Sequence, residues 1–295
     1  MKVIPSDQRV YQFAPDMRST FSLGPPDTVI FETIDAFGGQ ISTEADRLET
    51  VDFSQVNPAT GPVSIKGAQP GDTLVVQVQG IKLPQQGVIV TGPGMGVLGD
   101  EMKTHATKIL PIKDGFVQFD NLVLPVAPMI GVIGVAPETE AFPTGTAHCH
   151  GGNMDTKEIG EGATVYLPVF QRGAMLAMGD VHAVMGDGEV CVSACEVSAI
   201  ITVEIDIIKG KAMKWPVVET KDGMYILVSL PTIEEALREV TREAAALLGD
   251  RQELSLEEAA MLASLAVDIR ISQLVDPNKT AKAFVPKALF DARVF

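Results

Sequence analysis

The stretch Lys108-Ile109-Leu110-Pro111-Ile112-Lys113-Asp114-Gly115-Phe116-Val117-Gln118-Phe119 places two β-prone runs on either side of an Asp-Gly pair. Asp and Gly tolerate the positive φ of a tight two-residue turn, and that turn's twist suits antiparallel strands. The segment therefore predicts a hairpin and argues against a doubly wound parallel sheet. Similar β-branched runs recur at 28–34, 73–78, 132–135, 164–169, 175–178 and 189–208, broken by Gly, Pro or Asp. Gly186-Asp187-Gly188 offers a second turn of the same kind. The expected class is mainly β, an antiparallel sandwich or barrel.

The pattern changes after Pro231. Thr232 with Glu235, and Ser255 with Glu258, form two capping boxes, each followed by apolar residues at helical spacing (Leu237, Val240, Ala244, Leu247; then Met261, Leu262, Leu265). Gly249 is the expected stop of the first helix. With a strand at 225–230 before them and another at 269–275 after, the tail reads as a small C-terminal α+β domain. Three portions are expected: an N-terminal β-sandwich portion (1–100), a β-rich portion carrying the His150 and His182 motifs (101–215), and the α+β domain (216–295).

The chain has 295 residues, 38 acidic against 23 basic, and a net charge of -15. That balance repels phosphate backbones and anionic lipid, so neither nucleic acid nor a membrane is an expected partner. No apolar run approaches the roughly 18 residues needed to span a bilayer, and the first residues lack a signal-peptide pattern, so a cytoplasmic location is expected. Cys149, Cys191 and Cys195 lack CxxC spacing, which predicts reduced thiols. Gly92-Pro93-Gly94-Met95-Gly96 lacks the lysine and helix of a phosphate loop and reads as a loop able to cover a site.

Chemistry concentrates in His148-Cys149-His150-Gly151-Gly152-Asn153-Met154-Asp155, in Glu32-Thr33-Ile34-Asp35, and in Gly179-Asp180-Val181-His182 with Gly186-Asp187-Gly188-Glu189. Imidazoles suit zinc and similar ions, and paired glycines let backbone approach a ligand closely. On a regular strand Glu32 and Asp35 face opposite sides, so both can serve one site only if the strand ends near Ile34. A regular hairpin at 187–188 would hold His182 about 13 Å from the position opposite Glu189. The two share a site only if 179–188 is irregular.

These segments, with Asn57-Pro58-Ala59-Thr60-Gly61-Pro62 and the run from Asp268 to Pro277, resemble the acetamidase/formamidase family over nearly the whole chain. The resemblance implies hydrolysis of short aliphatic amides to carboxylate and ammonia, a mainly β fold with a small α+β end, and homo-oligomers. For that reaction His150, Asp155, His182 and Glu189 are the expected ligands of a divalent metal, zinc first, with calcium or magnesium if the donors are all oxygen. Glu32 or Asp35 is the expected proton carrier, and Asn153, Gly151 and Gly152 the expected substrate contacts. Two other readings stay open: Cys149 as a nucleophile beside two histidines, and a non-catalytic β-domain binding a metal or small ligand.

Overall fold

The computed structural model describes residues 1–290. Two large sheets carry the chain. In the first the strand order is Lys2–Ile4, Asp27–Thr33, Ala199–Ile208, Thr73–Lys82, Thr164–Pro168, Val217–Glu219, Gly223–Leu230, Lys279–Pro286, Asp268–Gln273. The second runs Leu122–Pro125, Phe116–Phe119, Ala106–Lys113, Gln86–Thr91, Glu196–Val197, Leu176–His182, Met129–Gly134, Gly151–Asn153, with Ala59–Ile65 also paired to Leu176–His182. Among the described strands, pairing is antiparallel except where Lys2–Ile4 meets Asp27–Thr33 and Phe21–Leu23 meets Ala59–Ile65, and an isolated parallel bridge joins Gly188 to Gln273.

The 108–119 hairpin forms as expected. Asp114 and Gly115 take φ of 52° and 82°, and Phe116 pairs with Lys113. Between the sheets lies the main core, with Phe31, Val76, Val203 and Ile205 from one and Ile133, Leu176, Met178 and Val197 from the other. Strand alternation serves both faces of the first sheet. Tyr225 and Leu227 enter that core, whereas Met224, Ile226 and Val228 point to the helices.

The capping boxes at Thr232/Glu235 and Ser255/Glu258 both form, starting helices Ile233–Gln252 and Leu256–Ala266. Ala236, Val240, Ala244 and Leu248 bury one stripe of the first helix against Ile226, Val228, Ala281 and Ala283. Gly249 does not stop this helix. The left-handed cap falls at Glu253, whose φ is 53°, and the Gly249 carbonyl accepts from Leu254 N–H.

The three expected portions are not separate sheets. Ala199–Ile208 is inserted between Asp27–Thr33 and Thr73–Lys82, and the C-terminal strands extend the same sheet. Long-range pairing joins residues 27–33 to 199–208, a relation that local pattern does not carry. The run 189–208 is also not one strand: 189–195 is loop, and pairing begins at Glu196. The Asn57–Pro62 motif, expected as a turn, enters a strand at Ala59.

Candidate active site

The strand Leu176–His182 is buried along its full length and is flanked by Met129–Gly134 on one side and Ala59–Ile65 and Glu196–Val197 on the other. Its alternation sends Asp180 and His182 to the same face. Directly across from His182 sits Glu196. Gly131 lies opposite Asp180, between the pairs Ile130 with Val181 and Val132 with Gly179. Asp155 reaches the same place from the turn after Gly151–Asn153, held by a φ of 40°.

Glu189 arrives from the loop that follows the strand. That loop is irregular: Glu189 and Val192 have φ of 46° and 79°, and Val192 N–H donates to the Glu189 carbonyl. This satisfies the geometric condition for His182 and Glu189 to meet. His182 Nε2 lies 3.2 Å from Glu196 Oε2, 3.4 Å from Asp180 Oδ1, and 3.9 Å from both Asp155 Oδ1 and Glu189 Oε1. Asp155, Asp180 and His182 form one compact triad of ligand atoms, and His182, Glu189 and Glu196 another.

All five side chains are buried. Both Asp155 oxygens, Asp180 Oδ1, Glu196 Oε2 and both His182 nitrogens lack a hydrogen-bond partner among the described residues. Burial lifts the Asp155 carboxyl to about 6, helped by Asp180, and lifts Glu196 to about 8 against the opposing pull of His182. Glu189 is held well above the ordinary carboxylate range by burial and by Asp155. Burial alone would depress His182, but Glu196 and Asp180 outweigh it and hold the imidazole well above its usual value. Asp276 joins the rim, hydrogen-bonded through Oδ2 to Asn153 Nδ2 at 2.9 Å and raised by burial and by Asp155.

Of the expected ligands, Asp155, His182 and Glu189 come together, while His150 does not join them. Its ring packs against Phe13 and Phe142 at centroid distances of 5.1 and 4.9 Å, and burial lowers it to about 3, leaving a neutral imidazole. The turn at Gly151-Gly152 separates its direction from that of Asp155. Those glycines answer a packing need: a Cβ on Gly151 would meet Ile133 O at 2.3 Å, and one on Gly152 would meet Thr146 O at 2.4 Å.

Glu32 also lies elsewhere. Its strand ends at Thr33, and Glu32 shares the outer face with Ile30 and, across the ladder, Ile200, which is 41% exposed. Phe31 and Thr33 take the inner face. Asp35, beyond the strand end, caps a turn by accepting from Phe37 and Gly39 N–H. Burial raises its carboxyl, with Asp180 adding to the rise.

Cys149 stands apart from the acids, its Sγ 3.2 Å from His148 Nδ1, and burial pushes the thiol up to about 11. That opposes a thiolate at neutral pH. The 92–96 loop abuts the Glu189 loop, Val97 N–H donating to Val190 O at 2.8 Å. Sequence reading missed Asp180, Glu196 and Asp276 as site residues. Asp180 was findable, because it sits two residues before His182 on a strand. Glu196 depends on cross-strand register, and Asp276 on packing of the distant tail.

A buried nest of carboxylates around one imidazole, on a β-sandwich with an α+β end, defines the class: a mainly β scaffold with a polar, enclosed centre. The profile of the acetamidase/formamidase family matches residues 5–145 and 139–292, and the chain belongs to that family. The crystal structure of an acetamidase from Bacillus halodurans is 40% identical, with a TM-score of 0.95 and coverage of 97% of each chain. One from Thermoanaerobacter tengcongensis, assigned as an acetamidase/formamidase, is 42% identical with a TM-score of 0.95, covering 98% of this chain and 96% of that one. The acetamidase of Mycolicibacterium smegmatis is 25% identical over 66% of this chain; the match spans 65% of that protein, just under two thirds of its length. Among the described residues, no helix is long and apolar enough to cross a membrane.

Proposed function

We propose that this chain hydrolyses short aliphatic amides, formamide and acetamide among them, to carboxylate and ammonia at the cluster around His182, with a divalent cation held there. One observation carries the reading: unpartnered, buried acid oxygens converge on His182. An uncompensated buried carboxylate is costly, so such a set calls for a cation. A tetrahedral zinc shell of radius about 2.1 Å has edges of about 3.4 Å. The 3.2–3.9 Å spacings about His182 Nε2 fit it, and the imidazole nitrogen favours zinc over calcium or magnesium. Either triad, Asp155 with Asp180 and His182, or His182 with Glu189 and Glu196, would hold the ion through three protein ligands, with the remaining acids beside it.

Bound there, zinc lowers the pKa of a water from about 15.7 to about 7 and polarises a carbonyl. The chain's own groups do the rest. Water oxygen bonds to the amide carbon, the C–N bond breaks, and the nitrogen must gain a proton before it leaves. Asp35, outside the ligand set but raised by burial and close enough to Asp180 to feel its charge, is the group proposed to hold and deliver that proton. Asn153 Oδ1, buried and unpartnered while Nδ2 is tied to Asp276, can accept an N–H of the substrate amide.

The test is ammonia release from formamide and acetamide before and after chelation, with elemental analysis and readdition of zinc, calcium or magnesium. Loss on chelation and recovery with zinc is the expected result. Activity that ignores chelator yet dies with a thiol reagent would move the chemistry to Cys149. No release from any small amide would leave a binding module.

A further inference from the structure

We infer that Lys282 is a positioning residue: its buried ammonium clamps together the two loops that deliver Asp155 and Glu189. This rests on the reading of the cluster as the reaction centre. Lys282 is fully buried in the strand Lys279–Pro286, on the far side of the chain in sequence from every ligand. Its Nζ lies 2.7 Å from Glu158 Oε2 and 2.6 Å from Asp187 Oδ1. Glu158 is three residues after Asp155, and Asp187 two before Glu189. One cation therefore ties both acid-bearing segments to the C-terminal strand.

Neighbouring contacts extend the same clamp. Thr156 Oγ1 donates to Ser272 Oγ at 2.8 Å, Gly188 N–H donates to Ser272 O at 2.7 Å, and Leu274 N–H donates to Gly188 O at 3.1 Å. Lys157, on the surface, adds a second bond to Asp187 at 3.0 Å. The clamp has something to resist. Asp155 and Glu189 both sit on left-handed backbone, with φ of 40° and 46°, so neither position is its segment's relaxed choice. A surface ion pair would do little here, but this ammonium is removed from water and shared by two carboxylates, with the Tyr225 ring 6.0 Å from Nζ.

Lys282→Met, Asp187→Asn and Glu158→Gln, made in the full chain, test the idea. Thermal midpoint, zinc affinity by competition with a chromophoric chelator, and kcat and KM for acetamide are measured on each. The expected result is a tenfold or greater fall in zinc affinity and in kcat per folded molecule, with KM within threefold. Lys282→Met combined with Asp187→Asn should cost less than the sum of the two single changes, because the Lys282–Asp187 bond is lost in both while the bonds to Glu158 and Lys157 are each lost in one. If Lys282→Met fails to fold, Asp187→Asn decides, because that side chain is 30% exposed and tolerates the isostere. Variants that fold with kcat and zinc affinity both within threefold of wild type would overturn the inference. A wild type that binds zinc but releases no ammonia would sink the amidase reading instead, and zinc affinity would still judge the clamp.

Discussion

Replacing Gly131 by alanine probes the site with one methyl group. A Cβ built there lies 2.4 Å from Asp155 Oδ1 and 2.7 Å from both Asp180 Oδ2 and Asp180 O. An ordinary contact begins near 3.4 Å, so Asp155 must retreat by 3.4 − 2.4 = 1.0 Å. The Asp180 carbonyl cannot retreat, because it belongs to a strand paired on both sides. The strain falls on the two carboxylates that flank His182. A misplacement of about 1 Å costs on the order of 100-fold in rate, or about 2.7 kcal/mol of transition-state stabilisation. Overpacking adds about 1–3 kcal/mol of lost stability. Gly131→Ala should thus lower kcat for acetamide about 100-fold per folded molecule and release zinc more readily to a chelator. Gly80→Ala, whose Cβ would have open space, serves as the control and should keep full activity. A Gly131→Ala enzyme with activity within threefold of wild type and full metal content would refute the placement of Asp155 and Asp180 as working ligands.

Glu196→Gln should lower kcat at least 100-fold and weaken zinc 10–100-fold (about 1.4–2.7 kcal/mol), measured by single-turnover ammonia release and metal competition; unchanged metal affinity would remove Glu196 from the ligand set. Cys149→Ala should keep acetamide activity within twofold and be insensitive to thiol reagents, since burial already holds the thiol at about 11; abolished activity would revive the nucleophile reading. Ser255→Ala removes a cap hydrogen bond to Glu258 N–H and should cost about 1 kcal/mol, or about 2–4 °C in Tm, with activity intact; no change in Tm would show that the cap contributes nothing. Asp72→Asn should destabilise the fold by about 2–3 kcal/mol, because a buried carboxylate accepting from Lys209 Nζ at 2.5 Å, Gly210 N and Gln69 N loses its charge. Burial raises the Asp72 carboxyl, but Lys209 and the two backbone donors outweigh it and leave it below its ordinary value. Its stabilising effect is therefore full above the unfolded value near 4 and fades as pH falls through the lower folded value, so wild type and Asp72→Asn should converge in strong acid. Denaturant midpoints across pH 2–7 read this directly, and a gap that stays constant into acid would contradict it.

Some of the site could be read without coordinates. Asp155, His182 and Glu189 stood out because polar, metal-binding types recur there among glycines in a β-prone chain. Asp180 was within reach through its two-residue spacing from His182. His150 shared the same local signal as Asp155 yet points into aromatic packing, because the positive φ of Gly151 and Gly152 redirects the chain between them. Glu32 looked as acidic as Asp35, but the strand's alternation carries it to the outer face. Residue type marks a candidate; direction decides whether it arrives.

What the amino-acid order determined by itself was the Asp114-Gly115 hairpin, the two capping boxes, the mainly β class and the net acidic charge. The hairpin and the caps follow from interactions spanning a few residues, where backbone preference and side-chain hydrogen bonding act without help. Tertiary structure decided what stands beside what. Glu196 faces His182 through register, Gly131 makes room for two carboxylates across a ladder, and Lys282 joins segments about 95 and 124 residues away. Those relations arise only when distant strands pair and water is excluded between them, and no local propensity encodes the pairing.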